Sequence, residues 1–404
     1  MSTQLHRLAN AMRGKDIKAQ IFRGVFGVGG LKLLSLPITL GTSILLARGL
    51  GPEGYGQYAF IFAVISLLSL PVGPGVGKLI TREVAKFHHD RNWSLFRGLL
   101  LSAHQWVVVG SALIVIVTFF LALFGASWQE SDRWTLLVIA SLMLPFMALN
   151  ELRGATLRGL RKAIYGQVPE LLVRPASHLA IASVLFLAGG LNPITALISQ
   201  IISIVIAFIV GAMLLTRFMP SGLKGAIPSF KRSEWAKALL PFTMLAAVGA
   251  FSGQIGILVL GWLGRPEDIA ALRVAISGSV LVMFSLTIIN MVIGPHITKV
   301  FISNDIPRLR AITRNSARAA FVVALPISIP LIFFGDWIVG LLYGDLYTET
   351  AVFPLMVLAI GQLLNVGFGS VGLLLLMSGY ERDSLFGQLV GLSVNLFFAI
   401  LLIP

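Results

Sequence analysis

The sequence predicts an all-α, polytopic membrane protein with about eleven transmembrane helices. Of its 404 residues 56% are apolar and only 12% are charged, whereas a typical soluble chain carries about 25% charged residues. The mean hydropathy is +0.89. The longest stretch without a charged side chain runs from Pro175 to Thr216, which is enough for two spans at about 20 residues each. Lipid rather than water is therefore the main solvent of this chain.

Apolar runs separated by short polar connections place the individual spans. We predict them near residues 21–46, 55–77, 97–124, 134–152, 169–188, 193–216, 238–263, 273–295, 317–342, 351–377 and 384–403.

The basic residues predict the orientation of the chain. Most of the 31 lysines and arginines lie in alternate connections, beginning with the N-terminal segment, whereas Arg48, Arg133, Arg265 and Arg273 lie in the others. Positive residues stay on the cytoplasmic side during insertion, so we predict a cytoplasmic N-terminus. Insertion also accounts for the net charge of +14 without a nucleic-acid partner.

An internal repeat predicts the domain organisation. Residues 50–53 (LGPE) recur as 263–267 (LGRPE), and Gly73-Pro74 recurs as Gly294-Pro295. Repeats at a nearly constant shift indicate duplicated units, and both copies begin on the same predicted side of the membrane. The pattern therefore predicts two parallel lobes.

The lobe boundaries follow from the predicted spans. We expect a six-helix N-terminal lobe over 1–216, a cytoplasmic linker over 217–237 and a five-helix C-terminal lobe over 238–404. The repeat predicts a twelfth helix beyond Pro404, so we expect this chain to lack it and to end outside the cell.

The chain contains no pattern typical of an enzyme, a metal site or a cofactor site. Its six histidines do not fall at metal-ligand spacing, and no phosphate-binding loop or hydrolase motif is present. The glycine-rich segment 73–77 lies at the end of an apolar span, where glycine favours close helix packing or a break. We therefore expect neither catalysis nor a bound cofactor or metal.

Lys32 and Arg174 are the main candidates for a functional site, because each lies inside a predicted span. A charge in the bilayer is costly and commonly faces a cavity, so we predict a cationic, substrate-binding cavity from Lys32 and Arg174, joined by His178 and His104. The alternative is that both long side chains extend to the headgroups. Four uncharged residues are predicted to line the cavity as well: Gln254, Asn290, Gln362 and Asn365.

Prolines within or at the ends of spans predict hinges. Pro37 lies in the first span, Pro71 and Pro74 at the end of the second, and Pro295 at the end of the eighth. Such breaks persist in membranes where neighbouring groups satisfy the freed carbonyls. Static kinks are the alternative.

Several motifs resemble a known family. Residues 45–59 read LLARGLGPEGYGQYA, residues 157–161 LRGLR, residues 166–175 GQVPELLVRP and residues 258–264 LVLGWLG. The chain resembles polysaccharide (O-antigen type) flippases of the multidrug/oligosaccharidyl-lipid/polysaccharide exporter superfamily over nearly its whole length.

The resemblance implies a V-shaped, two-lobed transporter in a bacterial cytoplasmic (inner) membrane. It implies alternating-access flipping of undecaprenyl-diphosphate-linked oligosaccharide for surface polysaccharide such as the O-antigen of lipopolysaccharide, with a polysaccharide polymerase and glycosyltransferases as partners. Arg174 matches the arginine of the family's helix-five motif, whereas Lys32 matches no motif position. The alternative function is an ion-coupled antiporter for small organic cations or drugs.

Overall fold

The computed structural model describes residues 17–125 and 131–402, and these residues are helical almost throughout, with no β-strand. Fifteen α-helices follow one another in the described chain. They are α1 (Ile17–Leu68), α2 (Pro74–His89), α3 (Trp93–Gly125), α4 (Ser131–Ser141), α5 (Met143–Gly159), α6 (Ala163–Val168), α7 (Arg174–Leu187), α8 (Pro193–Phe218), α9 (Arg232–Leu263), α10 (Pro266–Ile302), α11 (Ile306–Phe333), α12 (Gly335–Tyr343), α13 (Thr348–Phe368), α14 (Val371–Met377) and α15 (Glu381–Leu402).

Ten helical stretches of the described chain are long and apolar enough to cross a membrane. The first of them, Gly27–Leu68, covers most of the first predicted span and much of the second. The predicted all-α, polytopic fold is therefore confirmed, with two predicted spans in one helical stretch. The end of the eleventh predicted span lies outside the described residues, and the expected lack of a twelfth helix stays a prediction.

Gly51 interrupts α1. Its backbone has φ +68° and ψ 176°, a conformation that side chains with a Cβ rarely adopt. Pro52 follows it, and a residue before proline is disfavoured in the α region. The first copy of the repeat, residues 50–53, thus lies at a break in α1. The second copy, residues 263–267, lies where α9 ends and α10 begins.

The second predicted span extends beyond the end of the helix that contains it. It was placed at 55–77, but α1 ends at Leu68 and a turn over residues 69–73 precedes α2. Pro71 has no N–H to continue the helix, and Pro74 is accepted only in the first turn of the next one. Hydropathy does not register this backbone restriction.

Other predicted boundaries shift for similar reasons. The span placed at 317–342 is divided between α11 and α12, and the span placed at 351–377 is divided by Gly369 between α13 and α14. Gly369 has φ +77°, where glycine is strongly favoured. The helix α9 begins at Arg232, inside the predicted linker.

The described residues group into two compact units. The first unit contains residues up to Thr39, Leu68–Ile181 and Ile198–Ala246. Its core is a cluster in which the apolar face of α2 meets α3 and α5. The largest members include Ile80, Phe87, Phe96, Leu99 and Leu152. Charged residues occupy the other face of α2, so this helix is amphipathic.

The second unit contains Leu40–Leu67, Ala182–Leu197 and residues from Ala247 onward. Ala59 and Ala63 of α1 pack there against Ile257 and Ile269. The phenol of Tyr347 donates a hydrogen bond to the carbonyl of Ala47 at 2.9 Å. The end of α1 is thus part of the core of this unit. The predicted lobes at 1–216 and 238–404 remain a prediction, because the compact units combine segments from both.

Candidate functional site

A π-helical turn positions Arg174 within the first unit. Residues Pro169–Val173 form this turn between α6 and α7, and the backbone N–H of Arg174 donates to the carbonyl of Pro169. Pro175 has no N–H, so regular α-helical bonding cannot continue through it. Such turns occur frequently at functional sites. The segment that carries the sequence motif is therefore also a local departure from α-helix.

The guanidinium of Arg174 is held by two neighbours. Its Nη1 donates to Glu170 Oε2 at 2.9 Å, one helical turn earlier. With the amide of Gln200 oriented as its neighbours require, the amide oxygen accepts from Arg174 Nε at 3.1 Å and Nη2 at 2.8 Å. The side chain of Arg174 is 18% exposed. These contacts fix the orientation of a largely buried cation.

Gln200 also connects Arg174 to His178. The same amide donates from its nitrogen to His178 Nδ1 at 2.6 Å, and His178 is buried. We call Glu170, Arg174, His178 and Gln200 the Arg174 network.

Gln200 was not among the predicted site residues. It is an uncharged polar residue in the apolar stretch of α8, and Gln254 was selected on that same ground. The partners of Gln200 lie more than twenty residues away in sequence. Only the packing of α8 against α7 shows that one amide joins the arginine to the histidine.

The other two predicted cations lie elsewhere in the first unit. Lys32 is exposed on α1, and its ammonium has no hydrogen bond or ion pair with another described residue. His104 makes a 2.7 Å hydrogen bond through Nδ1 with the carbonyl of Leu100 in its own helix. The structure thus joins Arg174 and His178, while the inclusion of Lys32 and His104 stays a prediction.

The four uncharged candidates belong to the second unit. Ser370 donates a hydrogen bond to Asn290 Oδ1, and Asn365 donates to Gln362 Oε1 at 3.3 Å. Gln254 is partly buried on α9. Two pairs of polar side chains therefore satisfy each other, and cavity lining by all four remains a prediction.

The predicted hinges coincide only in part with breaks in the helices. Pro71 lies within the turn between α1 and α2, and Pro74 is the first residue of α2. Pro37 lies in helical backbone, and the break in α1 occurs later, at Gly51. Pro295 lies in the helical backbone of α10, and its side chain is outside the described residues. Hinge motion at these positions stays a prediction.

Another arginine–glutamate pair of the first unit lies on α5. Arg158 donates to Glu151 Oε1 at 2.6 Å. The sequence places Glu151 at the end of a span that finishes at residue 152, but α5 continues to Gly159. Both Glu151 and Glu170 are thus paired with an arginine inside helices of membrane-spanning length.

Glycines in the sequence motifs permit close packing of α5 with α6 and with α2. A Cβ added to Gly166 lies 2.7 Å from the carbonyl oxygen of Gly154, and one added to Gly159 lies 2.7 Å from Val84. Such distances are too short for an ordinary contact. The motif therefore carries packing positions as well as Arg174.

Comparison with solved structures identifies the fold. The structure of a multidrug resistance MATE family transporter of the MOP superfamily, in an inward-facing conformation, aligns with 93% of this chain and 98% of its own, with a TM-score of 0.62 and 14% identity. The lipid II flippase MurJ, in an inward closed conformation, aligns with 92% of this chain and 83% of its own, with a TM-score of 0.59 and 15% identity. The fold is that of a MATE- or MurJ-like membrane transporter.

Sequence comparison defines the family. The profile described as "Polysaccharide biosynthesis protein" matches residues 21–301, well over half of the chain. A Shigella flexneri protein named "Putative O-antigen transporter" is 24% identical over 360 residues, covering 84% of this chain and 80% of its own. This chain belongs to the polysaccharide biosynthesis protein family, and the resemblance noted from its motifs is confirmed.

Proposed function

We propose that this protein flips undecaprenyl-diphosphate-linked oligosaccharide across the bacterial cytoplasmic membrane by alternating access, for surface polysaccharide biosynthesis. Family membership and the similarity to the Shigella flexneri protein support this substrate class. In this proposal the N-terminus is cytoplasmic, glycosyltransferases supply the lipid-linked substrate, and a polysaccharide polymerase consumes it.

The observation that carries the proposal is the oriented cation of the Arg174 network. Arginine presents a planar set of donors that suits phosphate oxygens. Gln200 fixes the plane of the guanidinium, and Glu170 occupies one of its donors. A diphosphate would replace the carboxylate of Glu170 on that donor, with Lys32 as a second cation on α1.

Two carboxylates bear on the alternative function, an ion-coupled antiporter for organic cations. That function needs an anionic ligand for the cation, since a carboxylate in a low-dielectric site attracts positive charge. Glu151 and Glu170 are each neutralised by an arginine. This pairing favours an anionic substrate.

Export of polysaccharide tests the proposal in cells. We expect Lys32→Gln combined with Arg174→Gln to reduce surface polysaccharide about tenfold or more, because hydrogen bonds to a charged group contribute about 1.5–3 kcal/mol each. Lipid-linked oligosaccharide should accumulate. Arg217→Gln, at the exposed end of α8, is the matched control and should export normally at equal protein level.

Two outcomes would count against the proposal in different ways. Normal export by the double variant would show that the assigned residues do not bind the substrate. Unchanged polysaccharide after deletion of the gene, with drug resistance on expression, would favour the antiporter instead.

A further inference from the structure

The second unit contains a cavity of about 940 Å³ beside α11. One wall carries Arg310, Arg314 and Arg318 of that helix. We call this space the arginine cavity. Its volume is within the range of about 300–1,000 Å³ that is usual for ligand pockets.

The three arginines form a row on one face of α11. They are four residues apart, so their side chains lie one above another along the helix over about 12 Å. Like charges at this spacing repel each other. Retention of positive residues on one side of a membrane does not require them to face one cavity. Arg308 lies on the same helix and does not line the cavity.

Within the part of the chain that the structure describes, no acidic side chain is paired with the row. The sequence contains neither Asp nor Glu between Asp305 and Asp336, and the carboxylate of Asp305 accepts from the backbone N–H of Arg308 at the start of α11. None of the three guanidinium groups is ion paired with another described residue. Their donors are therefore available to an anionic ligand.

The opposite wall of the cavity is apolar. It comprises Phe368, Val371 and Leu374, which lie on either side of the break at Gly369. A Cβ added to Gly369 lies 2.7 Å from the Cβ of Ala317, so the backbone approaches α11 between Arg314 and Arg318. The break thus places apolar side chains in the same cavity as the cations.

We propose that the arginine cavity binds a lipid through its phosphate group, with the hydrocarbon chain against the apolar wall. Arginine binds phosphate oxygens with paired, charge-assisted hydrogen bonds, and a ligand that is anionic at one end and apolar beyond it matches both walls. The phosphate belongs either to a polyprenyl diphosphate or to a phospholipid of the bilayer. This site is separate from the Arg174 network and does not depend on transport activity.

Binding of defined lipids to the purified, full-length protein tests the proposal. The probes are undecaprenyl diphosphate, phosphatidylglycerol and undecaprenol, which has the polyprenyl chain without phosphate. We expect the triple change Arg310→Gln, Arg314→Gln and Arg318→Gln to weaken phosphate-lipid binding by about tenfold or more. Arg308→Gln is the matched control and should bind within about twofold of the unchanged protein.

The comparison of probes identifies the source of the phosphate. Tighter binding of undecaprenyl diphosphate than of phosphatidylglycerol would support a site for the polyprenyl carrier, and equal binding would support a phospholipid site. Undecaprenol should bind weakly to every variant.

The proposal is overturned if the folded triple variant binds both phosphate lipids with unchanged affinity, or if undecaprenol binds as tightly as the diphosphate. Should the triple variant not fold, Arg314→Gln alone is expected to weaken binding by about threefold or more, and unchanged affinity would overturn the proposal in that case.

Undecaprenyl diphosphate is also the carrier in the proposed function, so its binding is compared in proteins that also carry Lys32→Gln and Arg174→Gln. Loss of binding in that background reports the arginine cavity alone and is distinguishable from the outcome of the export test.

Discussion

The Arg174 network and the arginine cavity place the same side chain in opposite surroundings. Arg174 is largely buried and held by Glu170 and Gln200. Arg314 is exposed toward a cavity and is paired with no carboxylate of the described chain. Arg174 therefore stabilises the structure around it and, in the proposed function, binds a diphosphate only in exchange for the carboxylate of Glu170, whereas Arg314 is available to a ligand without such an exchange.

This difference shows that the role of an arginine in this protein depends on its partners. A buried cation whose partner is removed leaves polar groups unsatisfied. Neutralising an exposed cation changes the stability of the protein little. Substitution of Arg174 should consequently lower the stability of the protein. Substitution of Arg314 should instead weaken lipid binding and change stability little.

The largest expected effect on stability is at Arg174. We expect Arg174→Gln to lower the free energy of unfolding by about 1–3 kcal/mol, because Glu170 and Gln200 lose their shared donor. Arg314→Gln should change it by no more than about 0.5 kcal/mol. Thermal unfolding of the two purified variants in the same detergent measures the difference. Equal destabilisation would remove the distinction between the two sites.

Lysine substitutions should give a smaller but more specific effect. Arg174→Lys keeps the charge but cannot contact Glu170 and Gln200 with one planar group, so we expect about 1 kcal/mol of destabilisation. Arg314→Lys keeps a cation facing the cavity and should retain lipid binding within about threefold. A stable Arg174→Lys protein would show that charge alone is sufficient there.

The smallest expected effect comes from salt. Exposed charges are screened over about 3 Å at 1 M salt and about 10 Å at 0.1 M. Raising the salt concentration should therefore weaken undecaprenyl diphosphate binding to the arginine cavity. The destabilisation caused by Arg174→Gln should be nearly independent of salt, as repeated unfolding measurements would show. A strong salt dependence at Arg174 would indicate that this cation is solvated.

The fold was largely predictable because hydropathy and lipid thickness limit the possible arrangements. The errors lie at backbone breaks. The turn between Leu68 and Pro74 and the break at Gly369 interrupt segments that remain apolar on both sides, whereas the break at Gly51 lies in the predicted connection between the first two spans. Hydropathy measures side chains and does not detect where backbone conformation changes.

The candidate sites were predictable only in part. Arg174 and His178 were identified because polar residues inside a span are unusual, but their link through Gln200 depends on packing between helices. The row of arginines on α11 was explained by insertion alone, since charge counts do not reveal which residues share a cavity. The break at Gly369, which lies close to Ala317, brings the apolar side chains to this cavity.

Transport by the purified protein tests the central claim most directly. In vesicles containing only this protein, labelled undecaprenyl-diphosphate-linked oligosaccharide should move from the inner to the outer leaflet, and Lys32→Gln with Arg174→Gln should slow that movement about tenfold or more. Vesicles that move the labelled lipid no faster than protein-free vesicles, although the protein is folded, would contradict the proposed function.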